Sequence, residues 1–120
     1  MKHGLVIDDS SAIRRVARRI LERLDFDVAE AENTQAGLDA CQTQMPDVIF
    51  VEHMPVIDGV DIVAALRGKL GATKPKVIIC ILENDVVQIA RAMRAGADDY
   101  VLKPFYREIL QTKLQDVGLL

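Results

Sequence analysis

Two hydrophobic periods alternate along the chain: short apolar runs of strand character, then stretches whose apolar residues recur every three or four positions. Leu5, Val6 and Ile7 form the first run, closed by Asp8 and Asp9. Ser10 or Ser11 then offers a hydroxyl to the free N–H groups of a helix start. Ile13, Val16, Ala17, Ile20, Leu21 and Leu24 follow on one helical face, with Arg14, Arg15, Arg18, Arg19 and Arg23 on the other. Phe26 to Glu30 reads as a brief edge strand. Asn33 caps a second helix striped by Leu38, Cys41 and Met45, and Pro46 cannot continue it. Val48 to Val51 is apolar on both faces and ends at Glu52, as a central parallel strand does under helices on both sides.

His53 to Gly59 reads as a loop, and Val60, Val63, Ala64 and Leu66 mark the third helix. Val77 to Leu82 is the fourth strand. Asn84 caps a helix carrying Val86, Ile89, Ala90 and Met93, which closes on Gly96. Tyr100, Val101 and Leu102 form the fifth strand, ended by Lys103 and Pro104, and Ile109, Leu110, Leu114 and Val117 stripe a final helix. Five strand–helix units with short connections predict a doubly wound α/β fold, a five-stranded parallel sheet with five helices on its two faces.

Composition narrows the picture. The chain has 120 residues, half of them hydrophobic and 28% charged, so a single folded domain over 1–120 with no separate output domain is expected. A formal charge of −3 argues against binding nucleic acid by bulk charge. The longest apolar run, Val77 to Leu82, is far short of the roughly twenty residues that span a bilayer. Met1 to Val6 meet Asp8 and Asp9 too soon for a signal-peptide core, so a cytoplasmic location is expected. Cys41 and Cys80 lack C-x-x-C spacing and lie among apolar residues, which predicts reduced core thiols. His3 and His53 are isolated, against a zinc site, and no Gly-rich phosphate loop is present.

Candidate chemistry gathers where a doubly wound sheet binds its ligands, beyond the carboxyl ends of the strands. Strand one delivers Asp8 and Asp9 there, strand three Glu52, strand four Ile81 and Leu82, and strand five Lys103. Adjacent carboxylates beside a third acid suit a hard cation such as Mg²⁺, and a lysine reaches an anion bound next to it. Any one of these acids taken singly reads more simply as a helix cap or a solvated loop residue; the joint pattern is what points to a site.

The segments LVIDDSS, MPVIDG and AGADDYVLKPF resemble the receiver domain of bacterial response regulators, the CheY-like family, and the resemblance covers the whole chain. It implies the strand order 2-1-3-4-5, which periodicity alone does not give. It further implies that Asp8 and Asp9 hold Mg²⁺, that a third-strand aspartate accepts a phosphoryl group, and that a fourth-strand hydroxyl with Lys103 binds that group. Tyr100 takes the position of the aromatic that turns inward when the hydroxyl moves. The partners it implies are a histidine kinase, a phosphotransferase or another signalling protein, with no direct DNA binding.

The match departs from the family twice. The family leaves two residues between the acceptor aspartate and Met-Pro, whereas this chain reads Val51, Glu52, His53, Met54, Pro55. Counting back from Pro55 places Val51 at the acceptor position, and aligning the strand places Glu52 there; neither is an aspartate. Asp47 lies at the wrong end of the strand and Asp58 in the loop after Met-Pro. Ile81 stands where the family carries its hydroxyl, and a hydrocarbon donates no hydrogen bond. Leu82 follows where a small residue is usual.

Glutamate is one methylene longer than aspartate, so the Glu52 carboxylate would reach into phosphoryl space and act as a phosphomimic. Three like charges need a counter-ion, or at least one carboxyl pKa rises. Two arrangements follow: a Glu52–Lys103 ion pair with little metal, which is favoured, or retained Mg²⁺ with affinity weakened by the shortened loop.

The reading favoured by these residues is a non-enzymatic protein-binding adaptor that phosphorylation does not switch. Its expected interface is Arg91, Arg94, Tyr100, Lys103, Phe105 and Tyr106, the face that many relatives use for output. One alternative is a phosphoacceptor working through Asp8, Asp9 or Asp58 with Mg²⁺. Another is a sensor of an anionic cyclic dinucleotide through Arg14, Arg15, Arg18 and Arg19, although a solvated helix face with local ion pairs is the simpler account of that run.

Overall fold

The computed structural model describes residues 1–52, 59–71, 74–81 and 86–120, with the side chains of residues 52 and 59–62 outside the description. Strands and helices alternate as β1 (Lys2–Ile7), α1 (Ser11–Arg23), β2 (Phe26–Ala31), α2 (Thr34–Thr43), β3 (Val48–Glu52), α3 (Gly59–Leu70), β4 (Lys76–Ile81), α4 (Val86–Ala95), β5 (Asp99–Leu102) and α5 (Arg107–Asp116). All neighbouring strands run parallel, in the order β2-β1-β3-β4-β5. The doubly wound expectation and the order implied by the family resemblance both hold.

Alternation along the central strands divides the core in two. Leu5, Ile7, Ile49, Val51, Val77, Ile79 and Ile81 pack on one face under α2, α3 and α4. Val6, Val48, Phe50, Ile78, Cys80 and Val101 pack on the other, where Ala17 and Leu21 of α1 meet Leu110 and Leu114 of α5. Helix starts follow the capping expectations: the Ser10 hydroxyl accepts the Ile13 N–H at 3.3 Å, and the Asn33 side chain accepts the Ala36 N–H at 2.8 Å. The expected Asn84 cap lies outside the described residues.

Several stripe residues are not buried. Val16, Met45, Met93, Ile109 and Ala64 are exposed, because the faces that meet the sheet are narrower than the apolar periodicity suggests and smaller residues such as Ala17 and Ala92 make the contact. Strand β1 starts at Lys2 rather than Leu5, since Lys2 and His3 pair with Phe26 and Asp27 and recruit polar residues into the ladder. Asp47 sits at the amino end of the sheet, where its carboxylate accepts the His3 N–H at 2.7 Å.

Both cysteines are reduced and buried, as expected. Burial pushes the Cys41 thiol above its ordinary range, which suppresses the nucleophilic thiolate. Native protein at pH 8 should therefore resist iodoacetamide at Cys41, and denatured protein should react at both cysteines. Intact mass reads the difference, and rapid alkylation of native Cys41 would show the site to be open.

Candidate functional site at the carboxyl edge of the sheet

Parallel pairing brings the ends of β1, β3, β4 and β5 to one edge. Ile7 pairs with Val51, Val51 with Ile79, and Ile79 with Tyr100. One residue further on, Glu52 pairs with Cys80 and Cys80 with Val101, while Asp8 continues β1 past Ile7. Val51 is fully buried in the core and does not face this edge. The backbone of Glu52 closes β3; its side chain lies outside the described residues, as do His53, Leu82 and Asp58. The expected Glu52–Lys103 pair therefore falls outside the description too.

Asp8 is the buried acid of the site. Its N–H donates to the Ala31 carbonyl at 3.0 Å, and its Oδ1 accepts the Ser10 N–H at 2.8 Å. Its Oδ2 lies 3.7 Å from the Lys103 Nζ, and both side chains are almost wholly enclosed. Lys103 is aimed inward by its own backbone, whose N–H extends the ladder to the Ile81 carbonyl at 2.7 Å. Asp9, by contrast, is exposed. Ile81 is buried on the sheet face under α2, α3 and α4.

Helix α1 braces this edge in a way that periodicity did not reveal. Arg14 donates through Nη1 to the Asp8 carbonyl and through Nε to the Glu30 carboxylate at 3.2 Å. Arg18 reaches the other Glu30 oxygen at 3.1 Å, and that hydrogen bond raises the Arg18 pKa further above its ordinary value. Glu30 sits on β2, and no short-range sequence signal links it to Arg14 or Arg18. Two of the five arginines in the run are thus internal fastenings.

Two adjacent carboxylates are the number with which proteins commonly hold Mg²⁺, the remaining positions being filled by water or phosphate oxygens. Asp8 and Asp9 fit that role in number. Among the described residues no cluster of three His, Cys, Asp or Glu side chains forms a fuller metal cage.

Tyr100 is half-buried against the α2–α4 side of the core at the outer strand, with the Lys113 ammonium 4.3 Å from its ring centroid. That ammonium is fixed by Asp99 at 3.0 Å. Arg91, Arg94 and Tyr106 are exposed. Two members of the expected interface are corrected: Phe105, 7% exposed, packs among Val101, Leu110 and Leu114, and Lys103, 8% exposed, turns in to Asp8.

Residues 5–115 match the family described as the response regulator receiver domain. The chain belongs to the response regulator receiver family. A chemotaxis protein CheY homolog from Campylobacter jejuni is 34% identical over 117 residues, covering 94% of this chain and 89% of that protein. The KDP operon transcriptional regulatory protein KdpE of Escherichia coli is 36% identical over 116 residues, covering 96% of this chain and 50% of that protein. The structure of chemotaxis protein CheY4 from Vibrio cholerae superimposes with a TM-score of 0.88 at 28% identity, covering 98% of both chains. Receiver domains are two-component signalling modules that work through contact with kinases and other signalling proteins. No helix among the described residues of this receiver is long and apolar enough to cross a membrane.

Proposed function

We propose that this receiver is an adaptor that binds a protein partner in a fixed state, without an aspartyl phosphorylation switch. The observation that carries the reading is Ile81. It closes β4 at the carboxyl edge of the sheet, it is buried in the core, and it has no hydroxyl with which to follow a phosphoryl oxygen. The end of β3 supports the same reading, because the strand closes on Val51 and Glu52 and neither is an aspartate. Lys103 already neutralises Asp8, so the cation that would bind a phosphoryl group is committed to the resting protein.

Incubation with acetyl phosphate and Mg²⁺ tests the proposal by intact mass. The expected result is an unchanged mass. An added phosphoryl group that disappears in Asp58→Asn would establish the alternative, a receiver phosphorylated on a displaced aspartate.

The adaptor face is assigned to Arg91, Arg94, Tyr100 and Tyr106, joined by the exposed apolar residues Val86, Val87, Leu102 and Ile109. Tyr100→Ala should weaken binding to the protein partner by about 2 kcal/mol, the scale of an aromatic interface anchor. The fold should stay intact, with a melting temperature lowered by the loss of the half-buried ring. Unchanged affinity in a quantitative pull-down would remove Tyr100 from the interface.

A further inference from the structure

Helices α2 and α3 leave between them a hollow of about 340 Å³, walled by Leu38 and Cys41 of α2, by Met45 just past its end, and by Leu70 of α3. That volume lies at the lower end of what small-molecule sites enclose. The hollow is built into the fold, because α2 is seated firmly on the sheet beside it: a Cβ added at Gly37 would lie 2.5 Å from the Ile7 Cδ1. Burial keeps the Cys41 thiol protonated, so it serves the hollow as a small apolar group. The polar members of the lining, Gln35, Gln42 and Lys69, are exposed, and none of them is acidic. Met45, 53% exposed, is shared with a second hollow at the amino edge of the sheet, which brings in Lys74 and Lys76. Asp47 of that second hollow has its Oδ2 on the His3 N–H at 2.7 Å, and the two lysines outnumber it. Among the described residues, neither Lys69 nor Lys74 is in an ion pair.

We infer that the hollow between α2 and α3 binds a hydrophobic monocarboxylate, with its acid group on Lys69 and Lys74 at the Met45 end and its chain along Leu70, Cys41 and Leu38. Charge fixes the direction. At the far end the Gln35 amide donates to Asp39 at 3.0 Å, so a carboxylate placed there would face another carboxylate. At the near end two ammonium groups have no acid of their own, and an ammonium binds a carboxylate as a point charge without demanding one geometry. Length follows from the helix: Gln35 and Gln42 stand about two turns apart, roughly 10 Å, which suits a saturated chain of about eight carbons. Met45 is flexible and polarisable, the kind of side chain that adjusts to an aliphatic guest. The inference stands apart from the adaptor reading, because Arg91, Arg94, Tyr100 and Tyr106 take no part in the lining. A ligand held here would give the receiver a chemical input of its own.

Octanoate is the probe, followed by NMR of the protein with ¹³C-labelled methionine methyl groups. Titration should move the Met45 resonance and leave those of Met1 and Met93, which are exposed elsewhere, in place. Affinity should rise about two- to four-fold per methylene from butanoate to octanoate, as each leaves water, and then level off. 1-Octanol, the same chain without the charge, should bind about three- to five-fold more weakly, and Lys69→Gln should weaken octanoate about three-fold. Met45→Glu sets a carboxylate at the exposed junction of the two hollows, and should abolish binding with the melting curve unchanged. A Met45 resonance that stays still at millimolar octanoate, an equal shift at Met93, equal affinity for octanol, or full binding in Met45→Glu would each overturn the inference. So would co-sedimentation with phosphatidylglycerol vesicles without binding of free octanoate, because the occupant would then be a membrane surface. Partner capture through Tyr100 is read separately and bears only on the adaptor reading.

Discussion

Arg67→Ala is expected to lower folding stability by about 3–5 kcal/mol, the cost of removing one partner from an enclosed, hydrogen-bonded ion pair. The guanidinium is 8% exposed and ties together three separate segments. Its Nε donates to the Gly96 carbonyl at 2.8 Å, its Nη1 donates to the Pro75 carbonyl, and its Nη2 meets Asp98 at 2.6 Å. Asp98 in turn accepts the Val77 N–H at 2.8 Å, so the same carboxylate fixes the entry to β4. Truncation would take the guanidinium donors from two carbonyls at once and leave the Asp98 carboxylate with only the Val77 N–H and the Lys76 ammonium 3.9 Å away. Arg67→Lys keeps the charge but not the planar fork, and should recover less than half of the loss. Gly96 is part of the same clamp: its φ is +119°, and a Cβ there would sit 2.8 Å from the Arg67 Cγ. Urea unfolding of both variants reads the effect. A loss below about 1 kcal/mol for alanine would reduce the clamp to an ordinary surface contact.

The second large effect is expected at Lys103. Its ammonium and the Asp8 carboxylate are both enclosed, 3.7 Å apart, where the chain leaves β1 and β5 at the carboxyl edge of the sheet. Lys103→Ala leaves the Asp8 charge buried beside a new void and should cost about 3 kcal/mol or more. Asp8→Asn removes the stranded charge while preserving the shape that accepts the Ser10 N–H. The double variant should therefore be more stable than the sum of the single losses allows, by about 1–2 kcal/mol of coupling. Lys103 makes a further interaction beyond this pair, so the cycle isolates only the part shared with Asp8. Strict additivity in chemical unfolding would show that the two charges are held separately.

Much of this architecture was legible in the amino-acid order. Ile49, Phe50 and Ile78 form near-continuous apolar runs because both faces of a central parallel strand are covered, and the helices between them carry their own period. The strand order was another matter, since periodicity does not say which strands adjoin; the family resemblance supplied it. Asp8 and Lys103 could be expected to lie together because strand ends converge in any sheet of this kind, and they stand 3.7 Å apart. Phe105 was placed at the interface through the family's output face, whereas it packs into the core beside Leu110 and Leu114 of α5. Arg67 went unnoticed for a different reason. Its partners are mostly backbone carbonyls, which every residue type carries equally, so no pattern of side chains marks it.

The two outermost strands have a consequence for how the molecule behaves in a crowded solution. Among the described residues, β2 has a hydrogen-bonded strand neighbour only in β1, and β5 only in β4, so each forms a border of the sheet. β5 is only four residues long, and the Lys113 ammonium is fixed beside its Asp99. β2 carries Asp27 and Glu30, and Arg14 and Arg18 both reach Glu30. Neither border offers the long, flat, uncharged seam along which sheets from different molecules fuse into fibrils.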